Sequence, residues 1–278
     1  MEKKLFAVSC LLFLFSFAFY AESNDKKSIE IKFALGWSFG CYKETTFANI
    51  SQSILSPRYQ LETKIKSSSF LHTINADYFV CNPESAMTKT AVVYKSYDPV
   101  SGENYYKAFQ SNLTFHKIKC QYDLNYQFIE DNKFDFYAGS SFLCNAFLQF
   151  EQYPSISGLF SLALSSMMTY RKDERNLFSF NLALPLCGYG VRPPYAGCDA
   201  RLMKYAEEDF LKILTLGSFL SLHNYQSILL NCEYKVRSSK HFSTGLGCDF
   251  EYARIAEPKE RPLYYVNANV KTFVIVHF

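Results

Sequence analysis

The final thirteen residues, Val266 to Phe278, alternate in character from one position to the next. Val266, Ala268, Val270, Thr272, Val274, Val276 and Phe278 share one face; Asn267, Asn269, Lys271 and His277 share the other, interrupted only by Phe273 and Ile275. Successive side chains of a strand point to opposite faces, so the pattern dictates an extended segment with one apolar side. The same period recurs along almost the whole chain. Ile29, Ile31, Phe33, Leu35, Trp37, Phe39 and Cys41 alternate with Ser28, Glu30, Lys32, Ala34, Gly36, Ser38 and Gly40. Further runs carry Ile118 to Phe128, Phe134 to Phe150, Phe160 to Tyr170, Phe178 to Leu186, Ile228 to Val236 and Phe242 to Tyr252 on every second position. A period of two sustained over many segments of about ten residues is the pattern of a transmembrane barrel wall.

Composition narrows the alternatives. Aromatic residues make up 18% of the chain, with 27 Phe and 21 Tyr. Beyond residue 20 no window stays apolar for the roughly 18 residues a spanning helix needs, so any membrane crossing must use strands. A soluble β-sandwich also alternates. Here, however, Tyr and Phe gather near strand ends, as at Phe150, Tyr153, Tyr264, Tyr265 and Phe278, which fits the aromatic girdles of a barrel in lipid. The length suits one domain, and a net charge of +3 is too small and dispersed to imply nucleic acid as a partner. Glu2, Lys3 and Lys4 precede an apolar run from Leu5 to Phe19, which reads as a secretory signal peptide ending at Ala21 or Ala18. Cys10 is no lipoprotein box, because the apolar run continues past it. The expected organisation is a signal peptide over 1–21 and an outer-membrane barrel over 22–278.

The terminal strand, with its alternate apolar residues and final Phe278, resembles the last strand of bacterial outer-membrane β-barrels. Over the mature chain the pattern resembles the small barrels of the opacity-protein type. The resemblance implies an all-β, closed antiparallel transmembrane barrel in the outer membrane, surrounded by outer-membrane lipid. It also implies that the barrel-assembly machinery reads the C-terminal strand. Members of that group are adhesins, surface structural proteins or narrow pores.

With both termini in the periplasm, short turns fall on that side and longer loops outside. Ile255 to Leu263, Gly188 to Ile213 and Glu151 to Gly158 then become outer loops, and Asp199 is placed to cap a short helix through Phe210. Arg237 to His241, Arg171 to Asn176 and Glu130 to Lys133 become periplasmic turns. Upstream, Cys81 to Met87 reads as a periplasmic turn, Thr88 to Tyr97 as a strand and Asp98 to Asn104 as an outer turn. Leu214 to Val236 reads as one strand, because Leu214, Leu216, Leu220, Leu222, Ile228 and Leu230 keep one parity. Tyr59 to Val80 reads as one strand interrupted near Ser67 to Ser69, and the strand from Tyr105 carries a bulge near Phe115 to Ile118. The count is ten, with eight or twelve as alternatives.

The lumen face is expected to carry Lys32, Lys117, Lys119, Lys235 and Lys271 against Glu30, Asp123, Asp135, Glu233, Asp249 and Glu251. Near balance of sign points to ion pairs bracing a filled interior rather than a selective pore. Outside the signal peptide there are eight cysteines, of which Cys41, Cys120, Cys144, Cys232 and Cys248 fall on lipid-facing positions and act there as small apolar residues. Cys187 and Cys198 are the one pair placed to close a disulfide. His72, His116, His223 and His241 are the histidines a barrel hydrolase could use, yet none has a required partner at a required spacing. Asn49-Ile50-Ser51 and Asn112-Leu113-Thr114 match a glycosylation pattern by accident in a bacterial chain. No catalytic, cofactor-binding or metal-binding residue is assigned. The expected role is a non-enzymatic surface or structural protein acting through its outer loops on an unspecified ligand. A narrow channel for small solutes comes second and a barrel hydrolase third.

Overall fold

The computed structural model describes residues 28–44, 52–81, 84–85, 91–97, 104–110, 114–150, 155–192, 204–205, 212, 215–257, 259 and 262–278. The expected signal peptide therefore lies outside the described residues, as do Cys198 and most of the segment that Asp199 was to cap. In chain order the strands are β1 (Ser28–Glu44), β2 (Gln52–Ser67), β3 (Phe70–Cys81), β4 (Glu84–Ser85), β5 (Ala91–Tyr97), β6 (Asn104–Gln110) and β7 (Thr114–Glu130). They continue as β8 (Phe134–Phe150), β9 (Ser155–Arg171), β10 (Asn176–Val191), β11 (Ser218–Ser221), β12 (Tyr225–Arg237), β13 (Phe242–Ile255) and β14 (Leu263–His277). Ten staves close the barrel in the order β1, β2, β3, β7, β8, β9, β10, β12, β13, β14, with β1 paired to both β2 and β14. Every pairing is antiparallel, and closure removes the sheet edges that would otherwise face lipid unpaired.

Wall residues obey the expected parity. Phe33, Leu35, Trp37 and Phe39 of β1 face outward while Lys32, Ala34 and Ser38 are buried inside. The periplasmic end of the outer wall carries a chain of ring contacts: Phe70 to Tyr126, Tyr126 to Phe128, Phe128 to Phe136, Phe134 to Tyr170, Tyr170 to Phe178 and Phe178 to Tyr234. This girdle runs across β3, β7, β8, β9, β10 and β12, six neighbouring staves. Tyr265 departs from expectation: it points inward and is fully buried. Phe150 and Tyr153 have no described side chains. Staves such as β1 and β8 have 17 residues, against the 9–11 or so that a tilted strand needs to cross, so they rise past the membrane on the loop side.

Three strand assignments change. Tyr59 to Val80 is two staves, β2 and β3, joined by Ser68 and Ser69, and Ser68 takes a φ of 47° to turn the chain. The turn lacks the Asn-Gly or Gly signal of a two-residue hairpin, which is why the sequence read as a single interrupted strand. Cys81 and the short strand β4, both within the expected periplasmic turn, consequently sit at the outer, long-loop end. The Thr88 to Tyr97 segment is not a stave: its strand, β5, pairs only with β6 in a separate two-stranded ribbon. The barrel resumes at Thr114, and its expected bulge near Phe115 to Ile118 is replaced by an unbroken β7–β8 register there, the irregularity falling instead between Gln127 and Ile129. One stave gained and one lost leave the count at ten.

The third change concerns β10 to β12. β10 runs on to Val191, so the outer loop begins later than Gly188. Likewise β9 begins at Ser155, inside the expected loop from Glu151 to Gly158. The stretch from Ser218 to Arg237 does run in one direction along β10, but a turn at Leu222, His223 and Asn224 divides it into β11 and β12. Parity is not preserved across that turn: Leu220 is 0% exposed inside, and Leu222 is 56% exposed. β10 switches in step, through a bulge between Pro185 and Cys187.

Candidate functional site

The lumen is layered. At the outer end Tyr42, Phe79, Phe115, Phe147, Leu159, Leu220, Tyr225, Ile255, Leu263 and Tyr265 form one buried apolar cluster. Rings pack against one another at a tilt within it, with ring centres 4.9 Å apart for Tyr42 and Phe115 and 5.7 Å apart for Phe115 and Phe147. Nearer the periplasm, Leu71, Tyr137 and Met167 form one smaller cluster, and Ala34, Phe273 and Ile275 another. Between these apolar layers lies a cross-barrel network of charge. Glycines provide the room: a Cβ on Gly245 would lie 2.4 Å from the Phe273 ring, so β13 lets that ring fold into the lumen.

Glu233 on β12 is the hub. Its carboxylate is 2.6 Å from Lys32 Nζ, 3.1 Å from Lys271 Nζ and 3.9 Å from Lys235 Nζ. Lys32 also reaches Glu62 at 2.8 Å, and Lys271 reaches Asp249 at 2.9 Å and the Gln60 side-chain oxygen at 2.8 Å. Arg58 pairs with Asp77 and lies 3.4 Å from Asp249. Above this layer Lys117 donates to Glu251 at 2.7 Å and sits 4.0 Å over the Tyr265 ring, joining the charges to the apolar cap.

All eleven charges expected on the lumen face point inward. Arg58, Glu62, Lys64 and Asp77 belong with them and escaped sequence reading. Their parity could be assigned only after β2 and β3 were separated at Ser68. The residual lumen cavity is about 70 Å³ and is lined by Arg58, Gln60, Glu62, Asn75, Lys119 and Asp249 among others. At roughly 10–15 Å³ per water that is room for a handful of waters. A larger apolar depression, about 1160 Å³, lies on the outer wall beside Phe33, Leu35, Tyr59, Tyr78 and Leu246, where lipid chains would fill it.

The four expected histidines do not converge. His72 Nδ1 lies 2.9 Å from the Tyr122 hydroxyl and His116 Nδ1 2.9 Å from the Tyr78 hydroxyl, both on the outer wall between β3 and β7. Such pairing satisfies polar groups facing lipid. His223 lies exposed in the turn between β11 and β12, and His241 in the periplasmic turn before β13. A fifth histidine was overlooked. His277 Nε2 is 2.7 Å from Ser243 Oγ, and its Nδ1 is 3.3 Å from a Glu30 carboxylate oxygen. That is the order of nucleophile, base and orienting carboxylate, spread over β13, β14 and β1 at the seam where the barrel closes. Ser243 is buried, and none of the three lines a described cavity. Among the described residues no group of His, Cys, Asp and Glu could hold a metal ion.

A closed ten-stranded wall, apolar outside and charged within, defines a transmembrane β-barrel of the bacterial outer-membrane type. No family model matches the chain, and no curated protein matches it in sequence. Among solved structures it is similar to the outer membrane protease OmpT of Escherichia coli, with a TM-score of 0.52 at 8% identity over 90% of this chain and 97% of that one. An outer-membrane channel of Pseudomonas putida F1 matches with a TM-score of 0.41 at 6% identity, over 93% and 98% of the two chains. The attachment invasion locus protein Ail of Yersinia pestis matches with a TM-score of 0.33 at 8% identity, over 90% and 99%. The last two scores are too low to bear on this chain, and at 8% identity the first bears on the fold alone.

Proposed function

We propose that this barrel is a non-enzymatic surface protein in which the filled wall is an anchor and the outer loops meet the partner. The observation that supports this reading is how the lumen is filled: among the described residues an apolar cap and a buried ion-pair layer lie in series across it, and the cavity among the charged side chains is about 70 Å³. The connections at the outer end supply the reach. The one between β3 and β7 includes the β5–β6 ribbon, whose sequence holds Tyr94, Tyr97, Tyr105, Tyr106 and Phe109 beside Lys95 and Lys107. Tyrosine-rich surfaces supply large contact area at low conformational cost. The extracellular ligand is left open. Within the envelope the expected partners are outer-membrane lipid along the girdled wall and the barrel-assembly machinery at β14 and Phe278.

Purified, heat-modifiable protein in planar bilayers tests the reading. It is expected to pass no stepwise current; a reproducible ion-selective open state would replace the anchor with a narrow channel. The arrangement of Ser243, His277 and Glu30 supports a second reading, a serine hydrolase at the periplasmic mouth. A fluorophosphonate probe separates the two: labelling of the folded protein that disappears in Ser243→Ala supports the hydrolase, and no labelling removes it.

A further inference from the structure

Two cysteine pairs stand directly opposite one another on the lipid-facing wall. In the β7–β8 register Cys120 faces Cys144, and in the β12–β13 register Cys232 faces Cys248. Directly opposed residues of antiparallel strands have Cα atoms about 4.5–5.5 Å apart, inside the roughly 4.4–6.8 Å that a disulfide spans. All four are free thiols in the structure, so the register places each pair for a bond that has yet to form. The other described cysteines differ, Cys81 facing Phe115. Cys41 faces Val266 and Ser53, and Cys187 faces Leu162 and Ser221.

We propose that Cys120 with Cys144, and Cys232 with Cys248, form cross-strand disulfides that staple two hairpins of the wall. Each pair lies within one hairpin, joined by a short periplasmic turn at 131–133 or 238–241. No assembled barrel is needed to bring either pair together. An exported chain crosses a thiol-oxidising compartment, where a protein disulfide is the oxidant. Each pair gives up two protons and two electrons as its S–S bond forms, and the oxidant's disulfide becomes a dithiol.

The timing follows from the chemistry of exchange. Exchange needs a thiolate, and charging a thiol among lipid chains is costly. The bonds therefore form before insertion, at the hairpin stage, and the folded wall then shields them from reductant. Their effect is on register. A one-residue slip of a strand turns its lipid-facing residues into the lumen, and a staple across a local hairpin forbids that slip in the two hairpins it closes.

The test uses the full chain exported to the outer membrane of cells grown without reductant. Protein is acid-quenched, denatured and alkylated with N-ethylmaleimide, then digested and mapped by mass spectrometry. Linked peptides are expected for Cys120 with Cys144 and for Cys232 with Cys248, each pair two hydrogens lighter than its thiols. The four residues should label about tenfold less than after prior reduction. Complete labelling without reduction overturns the proposal, and so does a linkage such as Cys120 with Cys232. A second measurement treats folded protein in vesicles with dithiothreitol before quenching. Persistence of both bonds is expected there, with loss only after unfolding; reduction in the folded state overturns the shielded placement. The Cys120→Ser/Cys144→Ser variant should still insert and should lose only the first linkage.

Discussion

Glu233 lies buried against three ammonium groups, so its loss is felt by all of them. Removing one partner of a buried ion pair leaves an uncompensated charge and costs about 3–5 kcal/mol. Glu233→Gln is therefore expected to lower the unfolding free energy by that order, read as a lower urea midpoint for loss of heat-modifiable mobility. Adding Lys271→Met removes one of the cations that have lost a carboxylate, while Asp249 keeps Arg58 nearby, and should recover part of the loss. Additive costs in the double variant would contradict a shared hub. The hub itself was legible from sequence, since Lys32, Glu233, Asp249 and Lys271 follow from alternation alone. What alternation cannot supply is who pairs with whom: Lys32 and Glu233 are 201 residues apart and meet across the lumen only once the wall closes. The contact of His277 with Glu30 was hidden for the same reason, because it forms at the closing seam between the first and last staves.

Turns show where local chemistry decides topology. Ser68 occupies a left-handed conformation at φ 47°, which costs a residue with a Cβ about 1 kcal/mol or more. Ser68→Gly is expected to stabilise the barrel by a few tenths to about 1 kcal/mol, and a β-branched Ser68→Val to destabilise it, as read by the same urea midpoint. The reverse order would mean that the turn adopts another conformation. That single turn explains most of what the sequence concealed. Three consecutive serines gave no glycine signal, so two staves read as one, while β5 and β6 read as wall because nothing in so short a stretch separates a ribbon strand from a stave. The turn at 172–175 announces itself better, as Asp173 precedes Asn176 on a polar stretch. Asp173 accepts from the backbone N–H of Arg175 and of Asn176 at 2.8 Å each and from the Asn176 side chain at 2.9 Å. These donors, the Asn176 side chain foremost, hold its carboxyl below the ordinary range. A depressed folded value means the ordering is fully present above the unfolded pKa of about 3.9 and is lost as pH falls through the folded value. Hydrogen exchange at the Arg175 and Asn176 amides, corrected for intrinsic rate, should therefore lose protection in acid, and Asp173→Ala should lack that protection at neutral pH too. Acid-insensitive protection in the native protein would contradict the carboxylate's role.

At the scale of the whole molecule the lumen has two barriers in series, and they fail differently. The outer barrier is packing: replacing Phe115 and Phe147 by Ala removes rings from the cap at about 3–5 kcal/mol each. The inner barrier is charge, with Arg58, Lys32 and Lys271 on one sign and Glu62, Asp77, Glu233 and Asp249 on the other, reaching between β1, β2, β3, β12, β13 and β14. Opening the cap leaves those pairs in place, because none of them uses Phe115 or Phe147. The Phe115→Ala/Phe147→Ala variant, taken from the fraction that still folds by gel mobility, is therefore expected to stay silent in planar bilayers. Combining it with Glu233→Gln and Asp249→Asn, which frees Lys271 from both its carboxylates and leaves Lys32 only Glu62 and Arg58 only Asp77, should admit current that favours anions, since the remaining lumen charge is positive. Conductance from the cap variant alone would show that packing is the sole barrier. The molecule would then be a channel whose outer residues gate it, and the anchor reading would fall.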